Sequence, residues 1–203
     1  AISTLPSGAA DSLTATSPYA GTQLKTKFTA TEFQERKGNN LVSKVTPTDV
    51  KLQVTLDGSN LVSDPTKNDT SVASMFDGVI DNGAQSNPHF YNFSALNGTD
   101  PQGYLTLKLD GTYDISNIYL MSYFQANFAI CAYEIYVSDS ESNLYDSSNL
   151  AATYSYGGYT SNATAGKLNS TGVAEGQEFV FAGNNVPVGS YVGFKIIKST
   201  VNT

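Results

Sequence analysis

Three stretches of the chain combine aromatic rings with hydrogen-bonding side chains. "NPHFYNF" (residues 87–93) holds the single histidine, His89, beside Tyr91. "SYFQANF" (residues 122–128) holds Tyr123, Gln125 and Asn127. "TYSYGGYTSN" (residues 153–162) holds Tyr154, Tyr156 and Tyr159 around two glycines. A pyranose presents an apolar face and a rim of hydroxyl groups. Tyrosine rings stack on the first, and amides or imidazole bond the second. These eight residues are therefore the candidate ligand contacts, and the chemistry they fit is sugar recognition. Each also has a plainer reading. His89 suits a hydrogen-bonded structural role, and Phe90, Phe93, Phe124 and Phe128 read as packing residues.

A fourth stretch, "SMFDGVIDNG" (residues 74–83), gathers oxygen ligands. Asp77, Asp81 and Asn82 lie within six residues, with glycines that let the backbone curl. Calcium takes six to eight oxygens at about 2.3–2.6 Å from carboxylates, amides and carbonyls. The spacing is not that of an EF-hand. Asp-Gly and Asn-Gly are equally the residues of tight turns that need positive φ. Two readings stay open: a pair of turns, or a structural calcium ion that holds loops in place.

Catalytic patterns are not evident. One histidine and no Gly-x-Ser-x-Gly elbow argue against a nucleophilic triad. One histidine and one cysteine argue against a zinc cluster. No Gly-rich loop with a lysine is present to cradle phosphate. A glycosidase needs two facing carboxylates, and none of the 18 acids sits in a recognisable setting. The expectation is a protein that is not an enzyme.

The bulk numbers agree with an exported binding or scaffold protein. The 203 residues suit one domain with an extension. Charged residues are only 14%, net charge is −7, and 13 tyrosines and 10 phenylalanines stand against no tryptophan. An acidic surface repels phosphate backbones, so no nucleic-acid partner is expected. No apolar run approaches the roughly 18 residues of a membrane span, so no membrane insertion is expected. Cys131 stands alone, which excludes an internal disulfide and reads as a buried thiol. No leader is visible in "AISTLPSG". A secreted or cell-surface setting within a larger multidomain protein fits this composition.

The elements that must position the candidate residues read as strands. Residues 1–24, rich in Ser, Thr, Ala and Gly, read as a linker or flexible N-terminal arm. The domain is then 25–203. "KFTATEF" (residues 27–33) and "VKLQVTL" (residues 50–56) alternate. "YLTLKLD" (residues 104–110) puts Leu105, Leu107 and Leu109 on one face, the period-two pattern of a half-buried antiparallel strand, and Asp110-Gly111 reads as its end. "ISNIYLMS", "AYEIYVSDS", "QEFVFAG" and "YVGFKIIKS" continue the series. "DSSNLAATY" reads as a short helical turn. Many short strands split by Asp-Gly, Asn-Gly and Pro predict an all-β fold, an antiparallel β-sandwich.

The order of "FDGVIDNG", "GYLTLKLDGTYDISNIYLMSYF", "YEIYVSDSESNLYD" and "SYVGFKIIKS" resembles the discoidin-like, galactose-binding-type β-sandwich of coagulation-factor C domains and bacterial carbohydrate-binding modules. The resemblance spans residues 39–198. It implies a jelly-roll fold and glycan binding at loops on one end, with "HFYNF" and "SYFQANF" placed there. It also implies calcium at Asp77 and Asp81. "HFYNF" stands where the family has a tryptophan. The family's final strand is either missing here or replaced by "KFTATEF".

Overall fold

The computed structural model describes residues 13–26, 49–54, 103–121, 130–156, 176–181 and 185–199. Nine strands lie there: β1 (Leu13–Thr16), β2 (Gln23–Thr26), β3 (Asp49–Val54), β4 (Gly103–Asp114), β5 (Asn117–Met121), β6 (Ile130–Ser138), β7 (Leu150–Tyr156), β8 (Gly176–Val180) and β9 (Val188–Ser199). Every pairing is antiparallel. A six-stranded sheet has the order β1-β7-β6-β9-β4-β3, and a three-stranded sheet the order β2-β8-β5. Among the described residues the helical turns are two 3-10 turns, Glu141–Asn143 and Ser147–Asn149. The described part of the chain is all-β.

Alternation sets the faces. Leu105, Leu107 and Leu109 on β4 are buried, as are Tyr133, Ile135 and Val137 on β6. Phe194 and Val192 on β9 meet Leu105 and Leu107 in register. The three-stranded sheet contributes Leu24, Ile118 and Phe179 to the same buried cluster. Tyr133 links the sheets directly. Its ring lies 6.1 Å from that of Phe179, edge to face, and its hydroxyl donates to Gln177 Oε1 at 3.4 Å. Such contacts remove apolar area from water on both partners at once, the largest favourable contribution to folding.

The N-terminal stretch departs from its reading as an arm. From Leu13 it supplies β1, which pairs with β7, and β2, which pairs with β8. Threonines suit a pleated strand, and the pairing partners override the loop-like composition. Gly21, at φ 77°, permits the turn between β1 and β2. Ser17 Oγ fixes that turn by donating to Ala151 O at 2.8 Å.

Two further expectations change. Asp110-Gly111 does not end β4. The register shifts from Lys108 opposite Tyr191 to Tyr113 opposite Gly189, so the dipeptide sits in a bulge and the strand continues to Asp114. Residues 150–156, partly read as a helical turn, form β7, and only Ser147–Asn149 before it is helical. "KFTATEF" lies outside the described residues.

Candidate functional site

Of the candidate ligand residues, His89, Tyr91, Tyr123, Gln125, Asn127 and Tyr159 lie outside the described residues, as do Asp77, Asp81 and Asn82. The strand ends that bound their stretches are described, and they share one end of the molecule. In the six-stranded sheet, Leu13 pairs with Tyr156, Ala132 with Ser155 and Lys198, and Gly103 with Val54 and Ile196. That row holds the end of β3, the start of β4, the start of β6 and the end of β7. In the smaller sheet, Gly176 pairs with Met121 and Gln177 with Thr26. The Tyr133–Gln177 bond brings the two rows to the same end. The described strand ends on either side of residues 55–102, 122–129 and 157–175 therefore all lie at that end.

Tyr154 is corrected. It lies on β7 and is fully buried, with its ring stacked on Tyr133 at 4.9 Å. Its phenol faces the core because β7 alternates in phase with β6, where Tyr133 is its register partner. A ring with no exposed face cannot stack on a sugar. Tyr156 ends β7 opposite Leu13.

A second cluster was not anticipated. The outward face of the six-stranded sheet carries a group of tyrosines. Two similar segments, "YLTLK" (residues 104–108) and "YVGFK" (residues 191–195), run antiparallel as neighbours. Tyr104 therefore stands opposite Lys195, Thr106 opposite Gly193, and Lys108 opposite Tyr191. Lys108 Nζ lies 5.9 Å from the Tyr191 ring centroid. Lys195 Nζ is 3.7 Å from Glu134 Oε2, which also accepts from Tyr136 Oη at 2.6 Å. The clue was a Tyr–Lys pair four residues apart, repeated in two strands.

Tyr145 covers the middle of this face. Its ring occupies the space above Gly193, where an added Cβ would lie 2.8 Å from ring carbons. The rings of Tyr104 and Tyr136 meet it edge-on at 4.7 and 5.3 Å. Its hydroxyl is hydrogen-bonded to Thr106 Oγ1 at 2.7 Å and donates to Leu105 O at 3.3 Å. Burial pushes the Tyr145 phenol up to about 12, partly offset by the Thr106 bond. Burial, then the bond to Glu134, raises Tyr136 further.

Two carboxyl side chains elsewhere are hydrogen-bonded. Glu178 is fully buried and accepts from Asn117 Nδ2 at 2.9 Å. Asp139 accepts from Thr112 Oγ1 at 2.8 Å. Among the described residues no three His, Cys, Asp or Glu side chains gather as a metal site, and no helix is long and apolar enough to cross a membrane. No family model, curated protein or solved structure matches the chain.

Proposed function

We propose that the protein is a non-catalytic carbohydrate-binding module with a discoidin-like, jelly-roll β-sandwich fold, secreted or displayed at a cell surface as part of a larger protein. The observation that supports this reading is the shared end of the two sheets, where the described strand ends flanking the stretches that bear His89 and Tyr91, Tyr123, Gln125 and Asn127, and Tyr159 all lie. Shallow sugar recognition needs rings and amides gathered on a rigid frame, and these stretches carry both. A structural calcium ion at Asp77, Asp81 and Asn82 belongs to the same reading and would brace that end. Calorimetry across plant, starch and mucin-type glycans tests the proposal. Heat of binding that disappears in Tyr123→Ala or Tyr159→Ala supports it.

The alternative is a structural or protein-binding adhesin domain. It would keep the fold and bind no sugar. Among the described residues the exposed large apolar side chain is Val188, at 48% exposure, so the described surface gives a protein partner no broad apolar patch.

A further inference from the structure

Residues 140–149, between β6 and β7, combine local bracing with few attachments; just before them Asp139 is tied to the sheet, its Oδ1 accepting from Thr112 Oγ1 at 2.8 Å and its carbonyl from Ser190 Oγ at 3.4 Å. Within the segment, Leu144 N donates to Glu141 O at 3.2 Å, Asp146 N to Asn143 O at 3.0 Å and Asn149 N to Asp146 O at 2.9 Å. Asn149 Nδ2 donates to Asn143 O at 2.7 Å. At its start, Ser138 Oγ donates to Asn143 Oδ1 at 2.8 Å and accepts from Ser140 N at 3.1 Å. Residues 141–143 and 146–148 are exposed. Between them, Leu144 is fully buried and Tyr145 lies over Gly193. Neither residue belongs to the core cluster that the two sheets share. Tyr145 instead touches β4 through Tyr104, Thr106 and Leu105 O, β6 through Tyr136, and β9 at Gly193.

We propose that residues 140–149 form a latch, a self-braced strap that opens as one unit beyond the fixed Asp139 and is held shut by the Tyr145 ring seated over Gly193. A segment that keeps its own hydrogen bonds and has few buried anchors is the kind that opens below the threshold of global unfolding. The absent Cβ at residue 193 makes the seat. Glycine within a strand forgoes side-chain packing, and here the ring of Tyr145 takes the vacated space. Closing the strap covers the middle of β4, β9 and β6. Opening it would uncover that face and join the exposed residues 141–143 and 146–148 into one stretch open to proteases.

Native-state hydrogen exchange on the full chain tests this, read at the amides of Leu144, Asp146 and Asn149 and at those of β4 and β9. Tyr145→Phe removes only the hydroxyl. It loses the bonds to Thr106 and Leu105 and should speed exchange of the strap amides at least about five-fold, the net worth of one hydrogen bond, while leaving the sheet amides unchanged. Tyr145→Ala should speed them on the order of 100-fold. Gly193→Ala acts from the sheet side. In the native background its methyl meets the ring and should open the strap; combined with Tyr145→Ala it should add almost nothing. That non-additivity is the signature of a ring in a seat. Equal acceleration of strap and sheet amides in Tyr145→Phe overturns the latch, as does a Gly193→Ala effect that persists undiminished without the ring. Tyr145→Phe and Gly193→Ala keep the test intact should Tyr145→Ala fail to fold.

Discussion

Tyr133 and Tyr145 show two uses of one side chain. Tyr133 is fully buried between the sheets, so its replacement by alanine removes a large apolar body and leaves a void. The expected cost is about 3–5 kcal/mol, measured by urea denaturation. Tyr145 lies on the opposite face of the larger sheet, and its contribution depends on pH. Its phenol has a folded pKa of about 12 against an ordinary value of 10.0. The unfolded chain loses that proton first as pH rises. Its contribution is therefore complete below about pH 10 and lost as pH climbs towards about 12. Tyr19, Tyr133 and Tyr136 are raised in the same direction by burial and add to the decline. Denaturation curves from pH 8 to about 11.5 should show a steep fall in stability for the native protein. The fall should be shallower in Tyr145→Phe, whose side chain has no proton to lose. Equal slopes would show that Tyr145 ionises alike in both states. At this scale the sequence misled at one residue in particular. Tyr154 sits beside two other tyrosines and precedes two glycines, which is loop composition, yet its place on β7 points it into the core.

At the scale of elements, strands with strict alternation were legible. β4 and β6 bury the sides their patterns predict, and β3, β5, β8 and β9 lie where alternating runs placed them. β1, β2 and β7 were not legible. Their sequences, LTAT, QLKT and LAATYSY, are short or rich in threonine and alanine, and their partners lie far along the chain. β1 pairs with β7 across more than a hundred residues, a constraint no local window contains. The junction of β6 and β9 supplies a sharper test. A Cβ on Gly189 would lie 2.5 Å from Ser138 O and 2.7 Å from its carbonyl carbon. Those are backbone atoms, which cannot swing aside as a side chain does. Gly189→Ala should therefore cost about 1–3 kcal/mol and loosen the β6–β9 pairing near Ser138. Gly193→Ala meets only the tip of a tyrosine and should cost less. Paired urea titrations of the two variants give the order.

At the largest scale, the all-β class of the described residues followed from composition and punctuation, because short alternating runs split by Asp-Gly and Asn-Gly have few other ways to bury their apolar sides. How the strands order themselves did not follow, since antiparallel runs of similar length can pair in many sequences. The proposed sugar contacts rest on chemistry alone, rings next to amides. Calcium is decided at this scale as well. An ion held by Asp77, Asp81 and Asn82 stabilises the folded chain by mass action, so added calcium should raise the melting temperature and a chelator should lower it. An unchanged melting temperature in both leaves those residues as turns.

Glycan recognition itself is tested most directly by isothermal titration of the full chain against a panel of plant, starch and mucin-type oligosaccharides, repeated with Tyr123→Ala, Tyr159→Ala and a Lys108→Ala control on the sheet face. The expected result is saturable binding to at least one sugar, weakened at least ten-fold by either tyrosine replacement and unchanged by the lysine control. Absence of binding across the panel, or binding untouched by both tyrosine replacements, contradicts it.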